Sequence, residues 1–170
     1  MTKLKGVKRI NNILNEFLAQ FELTAEIDSD FAYYDRCNLI TYSLIVPSVM
    51  DKWFKEFAKI IDSRLSCDIF LLSLCHEIGH NMTVDEFDDS DWAVIDDDKE
   101  LINTAYNEAA QEGKEDLQKV LAFAYFDLPD ERAATSWAVN YIMTHQQEIV
   151  DLWQKLQPAI MDFYRENEVI

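Results

Sequence analysis

The sequence predicts an α+β fold, mostly α, in one domain spanning residues 1–170, with a small β-hairpin or sheet ahead of a buried central helix. Three observations carry this. The chain is 49% hydrophobic with only three Gly and three Pro, a composition of folded, helix-rich chains rather than disordered ones. Apolar residues recur at helical spacing over most of its length, and the period drops to two only near residue 40. At 170 residues it can bury a substantial core.

The elements follow in order. Val7, Ile10, Leu14, Phe17, Leu18 and Phe21 share one helical face, which predicts an amphipathic helix over 4–21. In "FAYYDRCNLITYSLIV", Ile40, Tyr42, Leu44 and Val46 alternate with Thr41, Ser43 and Ile45, and "YDRCN" supplies a turn. A β-hairpin is expected over roughly 31–46. Pro47 ends the strand, and Ser48 three residues before Asp51 is a capping-box signature. It opens a helix whose stripe is Val49, Trp53, Phe57, Ile60 and Ile61. Ser66 is the expected cap of a third helix, "CDIFLLSLCHEIGHNM", uncharged on every face from Ile69 to Cys75 and therefore buried. Residues 83–100 hold nine acids and one lysine and read as an exposed loop leading into an acid-rich first turn. Helical pattern resumes from about 99, breaks near Gly113, and continues through "DLQKVLAFAYF". Pro129 can start the next helix, with Asp130 and Glu131 in its first turn. Val150, Leu152, Trp153, Leu156, Ile160 and Phe163 mark a last helical stretch, interrupted at Pro158.

Charge narrows the functional classes. Fifteen Lys and Arg against 32 Asp and Glu give −17, which argues against direct nucleic-acid binding, since phosphate neutralisation needs clustered cations. Such a chain can steer towards a basic protein or peptide partner. No apolar run reaches a membrane span, and "MTKLKGVKRINNILNEFLAQ" has a basic start without the apolar core of a signal peptide. Cys37, Cys67 and Cys75 are odd in number and lack C-x-x-C spacing, which fits a reducing compartment. A cytoplasmic protein is expected. The oligomeric state is not readable from the sequence.

The chemistry sits in "SLCHEIGHNM", residues 73–82. His76 and His80 lie four apart, so on a helix both imidazoles face one side and can share a tetrahedral zinc. Glu77 points about 100° away from His76, as suits a general base that does not ligate. Gly79 faces the histidine side and leaves room for another backbone to approach. The H-x-x-G-x-x-H continuation would need Gly at 83 and His at 86, where the chain has Thr83 and Glu86. A glutamate on a separate helix remains as the common third ligand, and "DERAATSWA" offers Glu131, with Asp130 as the alternative.

"HEIGH", followed some fifty residues later by Glu131-x-x-Ala134-x-x-Trp137-Ala138, resembles the ImmA/IrrE-type metallopeptidases, often encoded by phages and mobile elements. The resemblance covers about residues 31–145 and implies a zincin-like helical domain with a hairpin before the H-E-x-x-H helix. It also implies a zinc-dependent metallopeptidase acting on an intracellular protein, a regulator among the candidates. Residue by residue, it makes His76, His80 and Glu131 zinc ligands and Glu77 the general base. Ala134 and Ala138 follow Glu131 at i+3 and i+7 and permit close packing on the active helix, while Thr135, at i+4, can hydrogen-bond a ligand. Family members often have Ala-Asn where this chain has Ala134-Thr135, and the acidic insert between the motifs is a second departure. The alternative is an acidic interaction or inhibitor protein that masks a basic partner, its metal site vestigial or structural.

The remaining features read more plainly. A calcium loop is excluded because no D-x-[DN]-x-[DN]-G run occurs. His145, about four turns after Glu131 on a continuous helix, would sit about 20 Å away by helix rise and reads as structural or exposed. Tyr33, Tyr42 and Tyr141 are possible oxyanion donors, but no spacing selects one, and core packing is expected for each. Trp137 reads as core. The hairpin edge could hold an extended peptide by β-augmentation.

Overall fold

The computed structural model describes residues 6–44 and 49–167. They form seven α-helices and one three-stranded mixed sheet, the mostly helical fold with a small N-terminal sheet that the sequence predicts. They group into two compact units, one drawn from 1–45 and 144–170, the other from 46–143.

In the first unit, α1 (Val7–Leu18) buries Ile10, Leu14, Phe17 and Leu18, the stripe its spacing marks. A 3-10 turn extends it to Phe21, and Glu22 leaves it with φ +59°. The expected hairpin is present but shorter: β2 (Ala32–Tyr34) pairs antiparallel with β3 (Leu39–Tyr42), Tyr33 opposite Ile40. A 3-10 turn over Asp35–Cys37 joins them and closes at Asn38, in the left-handed region that Asn tolerates. A further strand, β1 (Thr24–Ile27), runs parallel to β3, with Ala25 opposite Ile40 and Ile27 opposite Tyr42. Tyr42 is fully buried and donates to Asn11 Oδ1, so core packing holds for it. Strand residues beyond Leu44 lie outside the described residues.

The helix α7 (Gln146–Glu166) is continuous through Pro158, against the expected interruption. Pro158 is exposed, as is Gln154, the residue whose carbonyl the proline cannot hydrogen-bond. The opposite face still buries Leu152, Leu156, Ala159, Ile160 and Phe163, whereas Val150, expected inside, is exposed.

The second unit opens with α2 (Val49–Ile61). Trp53 and Phe57 are buried as expected, joined by Phe54 and Ala58, while Ile60 is 69% exposed and belongs to no core stripe. The expected cap at Ser48 lies outside the described residues.

The next helix, α3 (Ile69–Thr83), is buried without a break from Phe70 to Gly79, as its uncharged run predicts. Its cap is Asp68, not Ser66: the Asp68 carboxylate accepts from Phe70 N at 2.9 Å. Ser66 sits two residues too early to reach the first free amides.

The acidic stretch is mostly helix, not loop. After a 3-10 turn at Val84–Glu86, α4 runs over Asp89–Gln111, about ten residues ahead of the expected start. Asp88 and Asp91 form a capping box, and Asp89 and Asp91 complement the helix dipole. Gly113, with φ +69°, ends the helix where the sequence places a break. Then α5 (Glu115–Phe126) packs back on α4 and on α2. Pro129 opens α6 (Pro129–Thr144), whose buried residues include Asp130, Glu131, Ala134, Thr135 and Ala138.

Candidate metal centre

Two helices of the second unit build the centre, and at Gly79 the backbone of one meets the backbone of the other. A Cβ on Gly79 would lie 2.4 Å from the Ala134 carbonyl oxygen and 2.9 Å from Ala134 Cα, so only glycine lets α3 meet α6 this closely. Ala134 and Ala138, both fully buried, keep the α6 side flat.

That approach brings His76 and His80, one turn apart on α3, against Glu131 in the first turn of α6. His76 Nε2 is 3.1 Å from Glu131 Oε2 and 3.1 Å from His80 Nε2, and His80 Nε2 is 3.6 Å from Glu131 Oε2. His76 and Glu131 are buried and His80 nearly so, with the Phe54 ring edge-on to His76 at 5.0 Å. The three residues form a group that could hold a metal ion.

A hydrogen-bond relay fixes which atoms point inward. Thr135 Oγ1 donates its single proton to the Glu131 carbonyl at 2.7 Å, so toward His76 Nδ1, 3.0 Å away, it acts as acceptor. His76 therefore carries hydrogen on Nδ1 and turns the Nε2 lone pair to the centre. His76 Nε2 and Glu131 Oε2, each with a lone pair, then face each other across 3.1 Å, and a proton or a metal ion must lie between them.

Charge points the same way. Glu77, Asp130 and Glu131 are each under 9% exposed, and Lys99 pairs with the last two. Asp130 and Glu131 share one ammonium, so the pair keeps negative charge that a cation would offset. Burial pushes the Glu131 carboxyl up, but hydrogen bonds from His76 and His80 and their positive character hold it well below the usual range. Burial disfavours a charged His80, yet the hydrogen bond and charge of Glu131, with Glu77 behind, raise its pKa overall.

No family model, curated protein or solved structure matches this chain. The site must be read from its own geometry.

Asp130, the alternative ligand, stands outside the group: its Oδ2 takes Lys99 Nζ at 2.5 Å, and its buried Oδ1 has no hydrogen-bond partner. Glu77 is buried on α3 beside the two histidines in sequence. His145 is exposed at the start of α7, its Nδ1 2.9 Å from Thr144 Oγ1, so α6 does not continue through it. Tyr141 is buried and stacked on the half-buried Trp137 at 5.0 Å, and Tyr33 is half-buried in β2.

Two residues at the centre carry no motif. Lys99 Nζ sits 2.7 Å from Glu131 Oε1, and the Tyr125 phenol hydrogen-bonds Glu131. Burial would lower the Lys99 pKa, but Glu131, Tyr125 and Asp130 raise it above the ordinary lysine range. Burial and the Glu131 charge raise that of Tyr125, which stays a neutral donor. A signal for Lys99 exists: Trp92, Ile95, Ile102 and Tyr106 define an inward stripe of α4, and Lys99 falls on it.

Proposed function

We propose that this chain is a zinc-dependent peptidase of the ImmA/IrrE type, cleaving a peptide bond in a protein substrate. The observation that carries the reading is the donor triangle of His76, His80 and Glu131, with sides of 3.1, 3.1 and 3.6 Å. Zinc bonds of roughly 2.0–2.1 Å in a tetrahedron separate neighbouring donors by about 3.3–3.4 Å, so zinc fits between these atoms. Two imidazoles and one carboxylate are a catalytic zinc set, with a fourth position free for chemistry.

When bound, zinc supplies Lewis-acid chemistry, polarising a carbonyl oxygen and making water more acidic. The chain's residues do the rest. Glu77 takes a proton from the attacking water and returns it to the leaving amine. Thr135 holds the His76 tautomer, and the apolar wall of Phe54 and Phe126, ring centroids 5.1 Å apart, restricts water on that side.

A second reading has its own observation. The one lysine in residues 83–100 turns inward, so the charged residues exposed on α4 over that stretch, including Asp96, Asp97, Asp98 and Glu100, are all acidic. An acidic binding protein that masks a basic partner would present such a face, and so would a peptidase with basic substrates.

One experiment separates these. Zinc content is measured after purification, and the proteomes of cells expressing wild type and Glu77→Gln are compared. The peptidase reading expects one zinc per chain in both proteins and substrate cleavage in the wild type alone. A chain that refuses added zinc ends it, and a Glu77→Gln variant with full biological effect leaves the binding role.

A further inference from the structure

Glu131 divides its two oxygens between different partners. Oε2 faces the imidazoles, 3.1 Å from His76 Nε2, while Oε1 faces away and lies 2.7 Å from Lys99 Nζ. Resting on the metal reading above, we propose that Lys99 is a positioning residue that makes Glu131 bind the metal through one oxygen only, keeping a coordination position open.

Lys99 is built for that role. It enters from α4, a helix other than the two that carry the ligands, on the stripe that packs Trp92 and Ile95 inward. Its ammonium is fixed twice, by Glu131 Oε1 and by Asp130 Oδ2 at 2.5 Å, and it lies 5.7 Å from the Tyr125 ring centre. Charge-assisted bonds of this length are the strong ones. Asp130 is 2% exposed, and its other oxygen has no hydrogen-bond partner. The interaction that Asp130 makes is through Oδ2, which anchors the lysine.

Bidentate binding would turn Oε1 from Lys99 to the metal. That breaks a short ion pair and leaves the ammonium facing a divalent cation with less negative charge between them. The clamp therefore sets the denticity of Glu131. A carboxylate binding through both oxygens would make the site five-coordinate with its water and crowd the position that hydrolysis needs.

Cobalt(II) substitution reads this directly, because a four-coordinate ion absorbs visible light much more strongly than a five-coordinate one. The wild type loaded with cobalt is expected to show intense bands, and Lys99→Arg to resemble it. Lys99→Met is expected to bind one cobalt with absorption several-fold weaker, Glu131 having taken both sites. The double variant Lys99→Met with Asp130→Asn removes the carboxylate charge stranded by the first change, protecting folding, and is expected to give the same weak bands. Either variant, folded and loaded, with the wild-type spectrum would overturn the proposal. So would failure of both to fold, since Lys99 would then act through stability. A wild type that takes up no cobalt overturns the metal centre itself, an outcome distinct from matching spectra.

Discussion

Thr135 is the residue on which the direction of the centre depends. Its hydroxyl links the Glu131 carbonyl to His76 Nδ1, so one side chain joins two candidate ligands on different helices. Thr135→Val keeps the shape and removes the link. Zinc affinity is expected to fall roughly 10- to 100-fold with helical content unchanged, measured by competition with a chromophoric chelator. An unchanged affinity would mean the His76 ring is held by packing alone. Cysteine reactivity tests the same scale. Burial pushes the Cys67 thiol up to about 11, opposed in part by Lys55, whereas Cys37 is exposed. A raised pKa means the thiolate is absent from the folded protein below that pH. Timed alkylation at pH 8 should label Cys37 first and Cys67 late, and equal rates would contradict the burial. Because the folded-state pKa is the higher one, the stability from Cys67 burial is complete below 9.0 and lost as pH rises through about 11.

At the scale of elements, the contact between α3 and α6 is the sensitive one. Gly79→Ala would improve intrinsic helix propensity by up to about 1 kcal/mol, yet it drives a methyl into the Ala134 backbone. Backbone cannot yield as a side chain can, so a net loss of roughly 1–3 kcal/mol is expected in urea unfolding. Asp68→Ala removes the cap of α3 and should cost about 1 kcal/mol by the same measurement, while Ser66→Ala should be silent.

The legibility of these elements differs for physical reasons. The helices α3 and α6 were readable because their signals are local: an uncharged run, a proline start, and small residues at fixed spacing. The pairing of His76 with His80 and the room at Gly79 followed from helical geometry, whereas Glu131, on a separate helix, came from the second motif. The start of α4 was obscured because its inward stripe includes Lys99, which looks like surface until its partners on α6 are known. The strand β1 escaped for a related reason, since four residues pairing in parallel with β3 depend on a distant segment rather than on their own alternation. Pro158 misled because a proline's effect depends on which face it occupies.

Across the whole molecule, the charge inventory has a thermodynamic consequence. Buried Asp130 and Glu131 share the half-buried Lys99, and under the proposed metal reading a divalent ion that binds only the folded chain would add stability by mass action. Free zinc at a thousand times its dissociation constant should add about 4 kcal/mol, seen as a rise in thermal midpoint that a chelator reverses. No shift with zinc, under conditions where the protein is folded, would refute a divalent site. Among the described residues no helix is long and apolar enough to cross a membrane.

The meeting of Gly79 with Ala134 has one more consequence. Side chains can change rotamer to suit a guest, but two main chains in contact are a rigid gauge. The separation of the helices that carry His76, His80 and Glu131 is thus fixed by backbone, and under the proposed metal reading it would favour a small ion. Calcium, with bonds of roughly 2.3–2.6 Å and six to eight oxygen ligands, would have to part the helices to enter. Under that reading the missing side chain at Gly79 would act as a size filter.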